Sequence, residues 1–211
     1  MSKFIIDHME DGMHEWCVLE YKHMLMNVGA DNLYFSSLTD ACLNSGMPEE
    51  LKQAHCHKED VLHLPGVDPK DICLLDPAAT TPLSPEDADR FKYFLFGGIL
   101  GDDPPRDRTK ELRKLGFEGR HLGPIQMSTD TAVNVTKRVV VDKVPLDQIP
   151  YIDSPEVFFS KHESVTLPYR YIAVTKTIKT KDGQEKTIKV PLMPPGMLEL
   201  IKKDNERTLD F

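Results

Sequence analysis

The sequence predicts an α/β protein: a mostly parallel sheet of five to six strands with helices on both faces. Three observations predict this class. Short apolar runs of strand length alternate with stretches whose apolar residues recur at helical spacing. Such alternation is typical of parallel strands joined by crossover helices. The pattern then changes after Gly123, which predicts a carboxyl-terminal extension made of a β-hairpin and a helix.

In the first half of the chain the predicted elements follow one another closely. Gly29 ends the first helix, and Ser84 is expected to cap a later one with Pro85 at its first position. The predicted elements are a strand over 3–8, a helix over 15–28, a strand over 32–38, a short helix over 48–53, a strand over 71–75, a helix after 84, a strand over 91–96, a helix over 106–115 and a strand over 118–122.

The second half is predicted to contain one long helix followed by strands. Ser128-Thr129-Asp130 can cap a helix over 131–141, whose apolar residues fall on one face. Strands are expected at 156–159 and 168–174. The lysine-rich segment 176–190 is predicted to be a hairpin, because Asp182-Gly183 is a pair favoured in tight two-residue turns. A last helix is predicted over 197–205.

Length and composition bound the domain organisation. The 211 residues fit one domain with an appendage. We predict a main domain over 1–150 and an extension over 151–211 packed on the same domain. No run of 18 apolar residues and no signal peptide is present, so no membrane association is expected. Four cysteines without paired spacing indicate reduced thiols and a cytoplasmic protein.

Charge is distributed unevenly along the chain. Residues 1–105 contain 19 acidic and 7 basic residues, a net charge of −12, whereas residues 106–211 contain 15 and 19, a net charge of +4. An acidic surface suits a basic partner, while nucleic-acid binding proteins usually carry a basic footprint. A merely soluble acidic surface explains the same numbers.

The stretch 91–109 is the strongest candidate for a site. An apolar strand is predicted to stop on Gly97-Gly98, and Gly101, Asp102, Asp103 and two prolines follow. Ligands of α/β proteins bind outside the carboxyl ends of the strands, and glycines let the backbone approach a ligand closely. An ordinary strand-to-helix turn also explains the glycines. The paired aspartates and the rigid prolines favour a site.

Several common sites are not indicated by the sequence. The first predicted strand is followed by no glycine-rich dinucleotide motif, and the chain contains neither a P-loop nor an HExxH motif. His55, Cys56, His57 and His63 are metal-ligand types, but their spacing matches no common zinc pattern. We therefore predict that no metal is bound.

Five stretches resemble one family. The chain is similar to the SPOUT-superfamily protein arginine N-methyltransferases, which modify a small-subunit ribosomal protein. The matching stretches are HMEDGMHEW at 8–16, LLDP at 74–77, FGGILGDDPPRDRTKEL at 96–112, QMSTDTA at 126–132 and PPGMLELIKKD at 194–204. The resemblance implies a carboxyl-terminal trefoil knot near 96–141, an exception to the usual unthreaded connections.

The resemblance also implies S-adenosyl-L-methionine as cofactor, bound by segments 75–77, 96–101 and 120–132 and by Arg106. The implied cofactor-binding residues are Leu75, Asp76, Pro77, Phe96, Gly97, Gly98, Ile99, Leu100, Gly101, Arg106, Leu122, Gly123, Met127, Thr129, Asp130 and Ala132. From the residues alone, 126–132 is better explained as a helix start.

Arginine methylation sets a demand that acidic side chains can meet. The guanidinium is cationic at physiological pH, so carboxylates must orient it beside a cationic sulfonium. The candidate catalytic residues are Asp102, Asp103, Glu10 and Glu15, with Trp16 stacked on the guanidinium. Glu15 as a helix-start acid and Trp16 as a core residue are the structural alternatives.

Three functions remain open at this point: a protein arginine methyltransferase, an RNA methyltransferase of the same fold, and a non-catalytic ribosome-associated module. The acidic amino-terminal half favours the first, with a basic ribosomal protein as partner and no nucleic-acid specificity. We expect a monomer, with a dimer as the alternative. The lysine-rich 176–190 hairpin has no assigned role.

Overall fold

The computed structural model describes residues 1–98, 107, 109–160, 163–179 and 183–209. Strands and helices alternate through its first half, as predicted. The elements there are β1 (Lys3–His8), α1 (Glu15–Val28), β2 (Leu33–Ser36), β3 (His55–Cys56), β4 (Ile72–Leu75), α2 (Asp87–Arg90), β5 (Tyr93–Gly98), α3 (Lys110–Arg113), β6 (Glu118–Arg120) and α4 (Thr129–Val140).

Six of these strands form one parallel sheet, in the order β3-β2-β1-β5-β4-β6. Its central strand β1 is buried from Phe4 to His8. Alternate side chains of β1 enter two separate cores, because successive residues of a strand point to opposite faces. Phe4 and Ile6 join the core under α1 and α4, whereas Ile5 joins the core that includes Leu112 of α3. The predicted fold class is therefore confirmed.

The remaining elements form smaller sheets and a final helix. They are β7 (Tyr151–Asp153), β8 (Glu156–Ser160), β9 (Glu163–Thr166), β10 (Arg170–Lys179), β11 (Glu185–Pro191) and α5 (Met197–Leu209). Strand β10 pairs antiparallel with β7 and β11, and β8 pairs with β9. The predicted hairpin is confirmed by pairing from Ala173↔Pro191 to Lys179↔Glu185. Asp182 of its predicted turn lies outside the described residues.

A third core joins this second half to the first. It is formed by residues of β10 and α5 together with the side chains of Trp16 and Leu19 on α1. The long helix begins at Thr129, two residues before its predicted start, and the Ser128 hydroxyl accepts the Thr131 amide as a cap. Strands β3, β7 and β9 were not predicted.

Several predicted bounds differ from the observed ones by a few residues, and the packing gives the reason for two of these differences. Gly97 and Gly98 do not end β5 but continue it, since they pair with Asp7 and His8 of β1. Ser84 is not an N-cap, because α2 begins only at Asp87. The Ser84 amide instead donates to the Asp87 carboxylate at 2.9 Å, so the turn is closed by the acid.

Two expectations concern thiols and membranes. All four cysteines are unpaired, as their spacing predicted. Across the described residues no helix has the length and apolarity needed to cross a membrane.

Candidate functional site

The carboxyl ends of β4, β5 and β6 meet at one edge of the sheet. Leu74 lies beside Leu95, and Leu75 lies beside Arg120. This register brings together the three segments to which the cofactor was assigned. Leu75, Asp76 and Phe96 are buried there, whereas Pro77 is exposed.

Asp76 is tied to its neighbours by a bidentate ion pair. Arg113 on α3 donates from Nε to Oδ2 at 2.5 Å and from Nη2 to Oδ1 at 2.7 Å. The same guanidinium binds Asp107 at 2.9 Å, which ties Asp107 to α3. Although burial alone would raise the pKa of Asp76, the Arg113 hydrogen bonds hold it below its ordinary value. The Asp76 carboxylate therefore braces the site through Arg113.

A direct hydrogen bond joins strand β5 to helix α4. The Thr129 hydroxyl donates to the Gly97 carbonyl at 3.1 Å. At the adjacent position, Gly98, close packing leaves no space for a side chain. A Cβ there would lie 2.6 Å from Tyr21 Oη and 2.8 Å from Ile6 Cγ2. Substituting Gly98 would therefore disturb the sheet before it disturbed any ligand.

A buried polar network holds the first turn of α4 against α1. The Asp130 carboxylate contacts His23 Nδ1 at 2.8 Å and accepts a hydrogen bond from Asn134 at 3.1 Å. Glu20 accepts the Asp130 amide at 3.3 Å and the Trp16 indole N–H at 3.0 Å. Asp130 is only 1% exposed, so its carboxylate faces protein rather than solvent.

Burial raises the pKa values of two acids in this network, Glu20 and Asp130. Removal from water and the neighbouring Asp130 charge raise the pKa of Glu20 to about 8. Burial also raises the pKa of Asp130, against the opposing effect of His23. The buried hydroxyl of Tyr171, which has no hydrogen-bond partner among the described residues, faces the same acids. Near neutral pH, Glu20 is therefore predominantly protonated.

A cavity of about 530 Å³ opens beside segment 120–132. Leu122 and Gly123 form one wall, and Leu83, Ile149 and Tyr151 form others. Gly123 has a φ of 107°, a conformation that favours glycine. The apolar walls can enclose a flat ring, and Leu122 and Gly123 were both assigned to the cofactor.

The other assigned residues fall into two groups. Met127 and Ala132 are half-buried and pack against the core under α1 and α4, which is the main core of the protein. The remaining ones lie outside the described residues: Ile99, Leu100, Gly101, Asp102, Asp103 and Arg106.

The described catalytic candidates all lie at or after the end of β1. Glu10 is half-buried, and Glu15 is exposed and contacts Lys203 of α5 at 3.3 Å. Trp16 packs against the third core while its N–H reaches Glu20. The geometry thus gives Trp16 a structural role and leaves its stacking role a prediction.

Sequence reasoning missed several polar residues at this edge. Asp7 is the register partner of Gly97, and its Oδ1 accepts the hydroxyls of Ser36 and Ser37, each at 2.7 Å. Glu20 and His23 were missed as well. Their spacing on α1 was a usable signal, since residues three apart share a helix face.

The histidines and the cysteine considered as metal ligands do not form a cluster in the structure. His55 stacks on Tyr34, with ring centroids 4.1 Å apart, and His63 contacts Asp60 at 2.8 Å. No group of three or more metal-ligating side chains occurs within the described part of the chain.

Comparison with known proteins identifies the family. Residues 3–208 match the family described as protein arginine N-methyltransferase SFM1-like. The chain belongs to this family. It is 43% identical to protein arginine N-methyltransferase SFM1 of Saccharomyces cerevisiae over 220 residues, covering 99% of this chain and 98% of the yeast protein.

Solved structures agree with this family assignment. The crystal structure of yeast SFM1 complexed with SAM superposes with a TM-score of 0.83 at 43% identity, covering 96% of this chain and 91% of that one. Trm10 from Thermococcus kodakaraensis superposes with a TM-score of 0.50 at 18% identity, covering 69% of this chain and 95% of that one. The second likeness supports the shared fold alone.

Proposed function

We propose that this chain transfers a methyl group from S-adenosyl-L-methionine to an arginine of a basic protein of the small ribosomal subunit. The observation that carries the proposal is the meeting of segments 75–77, 96–98 and 120–132 at one sheet edge. These are the segments to which the family resemblance assigns the cofactor. Yeast SFM1, a relative at 43% identity, is named an arginine methyltransferase.

The residues at this edge suit the cofactor. Leu122 and Gly123 line a cavity with apolar walls that can take the adenine ring. The positive end of α4 favours the methionine carboxylate, although the Asp130 and Thr131 amides of its first turn are already accepted by Glu20 and Ser128. Thr129 fixes this turn against Gly97. Bound here, the cofactor supplies an electrophilic methyl group on a sulfonium.

The chain itself must hold the guanidinium of the substrate. We assign this task to Asp102 and Asp103 after β5 and to Glu10 after β1, because the ends of β1 and β5 are adjacent in the sheet. A carboxylate can orient the guanidinium and accept the proton that its nitrogen releases on methylation. Glu15 contacts Lys203, so it would have to exchange that partner for the substrate.

The wider properties of the enzyme follow from the same proposal. Free thiols suit the cytoplasm, where ribosomal proteins are made.

We also propose the trefoil knot. The described chain brings segment 81–83 beside His121, through a hydrogen bond from the Leu83 amide to the His121 carbonyl at 3.0 Å. His121 lies within the region near 96–141 to which the resemblance assigns the knot.

The decisive experiment is methyl transfer from labelled cofactor into ribosomal material, followed by separate nuclease and protease digestion. We expect protease-sensitive label that hydrolyses to methylarginine. Nuclease-sensitive label would support the RNA methyltransferase alternative instead.

A second experiment tests the assigned acid. Asp102→Asn keeps the shape of the side chain and removes its charge. Loss of a charge-assisted hydrogen bond of about 1.5–3 kcal/mol should lower turnover at least about tenfold, with cofactor affinity unchanged. Unchanged turnover would move the role to Asp103 or Glu10.

A further inference from the structure

The outer part of the β10–β11 hairpin is a positively charged two-stranded ribbon. We call residues 175–179 and 183–189 the basic ribbon. All of its residues are exposed except Ile178 and Ile188, which are half-buried, so it projects from the body of the protein. Its described lysines are Lys176, Lys179, Lys186 and Lys189, against one described acid, Glu185.

These lysines differ from most of the other exposed lysines in the described part of the protein. None of the four forms an ion pair with another described residue. Elsewhere, exposed lysines are usually neutralised by an adjacent acid. Four of these are Lys52 with Glu49, Lys58 with Asp40, Lys92 with Asp71 and Lys114 with Glu111. The ribbon is therefore a local excess of positive charge on a chain whose net charge is −8.

The lysines occur on both faces of the ribbon. Lys176 pairs across the strands with Ile188, and Lys186 pairs with Ile178, which places both lysines on one face. Lys179 and Lys189 occupy the opposite face. A ribbon charged on both faces suits a partner that surrounds it with negative charge. The walls of a groove in a folded nucleic acid do this, whereas the surface of an acidic protein would contact one face.

The ribbon is rigidly connected to the candidate cofactor site. Strand β10 starts at Arg170, whose amide donates to the Gln126 carbonyl at 2.8 Å, and then passes through the main core at Ile172. From Arg170 to Lys179 an extended strand spans about 30 Å. Lys179 therefore lies about 30 Å along the strand from the contact with segment 120–132.

We propose that the basic ribbon binds the phosphate backbone of RNA and so anchors the enzyme to an RNA-containing substrate. This proposal rests on the proposed function, since a ribosomal protein in its particle is surrounded by RNA. Lysines on phosphates position a protein without reading sequence. Thr175, Thr177 and Thr187 on the second face add hydroxyl donors for phosphate or ribose. The anchor raises the effective concentration of the target arginine at the site.

The direct test is fluorescence anisotropy with a short labelled RNA stem-loop and the full chain. Four lysine–phosphate contacts predict a slope of about −2.8 to −3.6 for log affinity against log salt, or about a 50- to 150-fold loss between roughly 50 and 200 mM salt. The variant Lys176→Gln/Lys179→Gln/Lys186→Gln/Lys189→Gln should bind at least about tenfold more weakly at low salt and lose most of this slope.

The matched control removes the same charge elsewhere. Lys52→Gln/Lys58→Gln/Lys92→Gln/Lys114→Gln should bind the stem-loop like the unsubstituted protein, because these lysines are distant from the ribbon in the sequence and are already paired. Equal weakening in both variants would reduce the effect to net charge and overturn the proposal. So would displacement of the RNA by polyglutamate at equal charge concentration, which would indicate an acidic protein as partner.

Methyl transfer provides an independent measurement. The ribbon variant should methylate the isolated basic protein at the normal rate but show a higher KM, with the same kcat, for that protein in its ribosomal particle. An unchanged KM for the particle would contradict the anchoring role. If the unsubstituted protein methylates neither substrate, the proposed function fails, while the anisotropy result still decides whether the ribbon binds RNA.

Discussion

Thr129 makes the one described side-chain hydrogen bond between α4 and the carboxyl end of β5. We predict that Thr129→Val weakens S-adenosyl-L-methionine binding about two- to tenfold, because a net hydrogen bond of about 0.5–1.5 kcal/mol is lost where two cofactor segments meet. Isothermal titration calorimetry measures this directly.

Thr136 on the same helix offers a matched control. Its hydroxyl is fully buried and has no hydrogen-bond partner among the described residues. Thr136→Val should leave cofactor affinity unchanged and raise the free energy of unfolding by about 1 kcal/mol, because it removes an unsatisfied polar group. Equal loss of affinity in both valine variants would show that Thr129 acts only through helix packing.

The raised pKa of Glu20 makes stability depend on pH. The unfolded chain releases the Glu20 proton near the ordinary value of 4.5, whereas the folded state retains it until about 8. The folded state therefore binds more protons between these values, and the free energy of unfolding falls as pH rises through this window.

We predict that Glu20→Gln removes this fall. Relative to the unsubstituted protein, the variant should gain a few kcal/mol in free energy of unfolding between pH 5 and pH 8.5, since one pKa unit corresponds to about 1.36 kcal/mol. Urea unfolding at several pH values gives the difference. Glu15→Gln, an exposed acid on the same helix, is the control. Parallel pH curves for Glu20→Gln and the unsubstituted protein would contradict the assignment.

At the scale of elements, local signals predicted boundaries well. β1 and α1 were predicted with their observed ends at Lys3–His8 and Glu15–Val28, because apolar periodicity and Gly29 mark them in the sequence itself. The start of α2 was wrong because tertiary context decides it. Asp87, which receives the Ser84 amide, also pairs with Arg120 of β6, and that partner is invisible to local reasoning.

The residues of the candidate site were likewise predictable only where their signal is local in the sequence. Thr129 and Asp130 were found because a cap followed by a helix is a local pattern. Glu20 and His23 were not, because their partner Asp130 lies more than 100 positions away along the chain. Only the packing of α1 on α4 shows that these residues share one network.

The close packing of β5 on β1 leads to an element-scale prediction. Gly98→Ala should lower the free energy of unfolding by about 1–3 kcal/mol, because the new methyl group would overlap Tyr21 Oη and Ile6. Adding Tyr21→Phe removes one of the overlapping atoms. In a double-mutant cycle measured by urea unfolding, the double variant should be more stable than the sum of the single effects. Strict additivity would mean that Tyr21 does not limit this position.

For the whole molecule, the third core bears on oligomeric state. It buries Met197, Leu200 and Ile201 of α5 against the Trp16 and Leu19 side of α1. The chain thus covers with its own extension an apolar face that a partner subunit could otherwise use. We predict a monomer, for which light scattering should give 24.0 kDa independently of concentration. A mass of twice this value would contradict the prediction.

Trp16 is the single tryptophan of the chain, and it donates its N–H to Glu20. The protein therefore carries a built-in optical probe of its own buried network, with no label required. Ionisation of Glu20 near pH 8 changes the field at the indole, so the emission of the folded protein should titrate there. Because Glu20 also receives the Asp130 amide, the same fluorescence reports any shift of the first turn of α4.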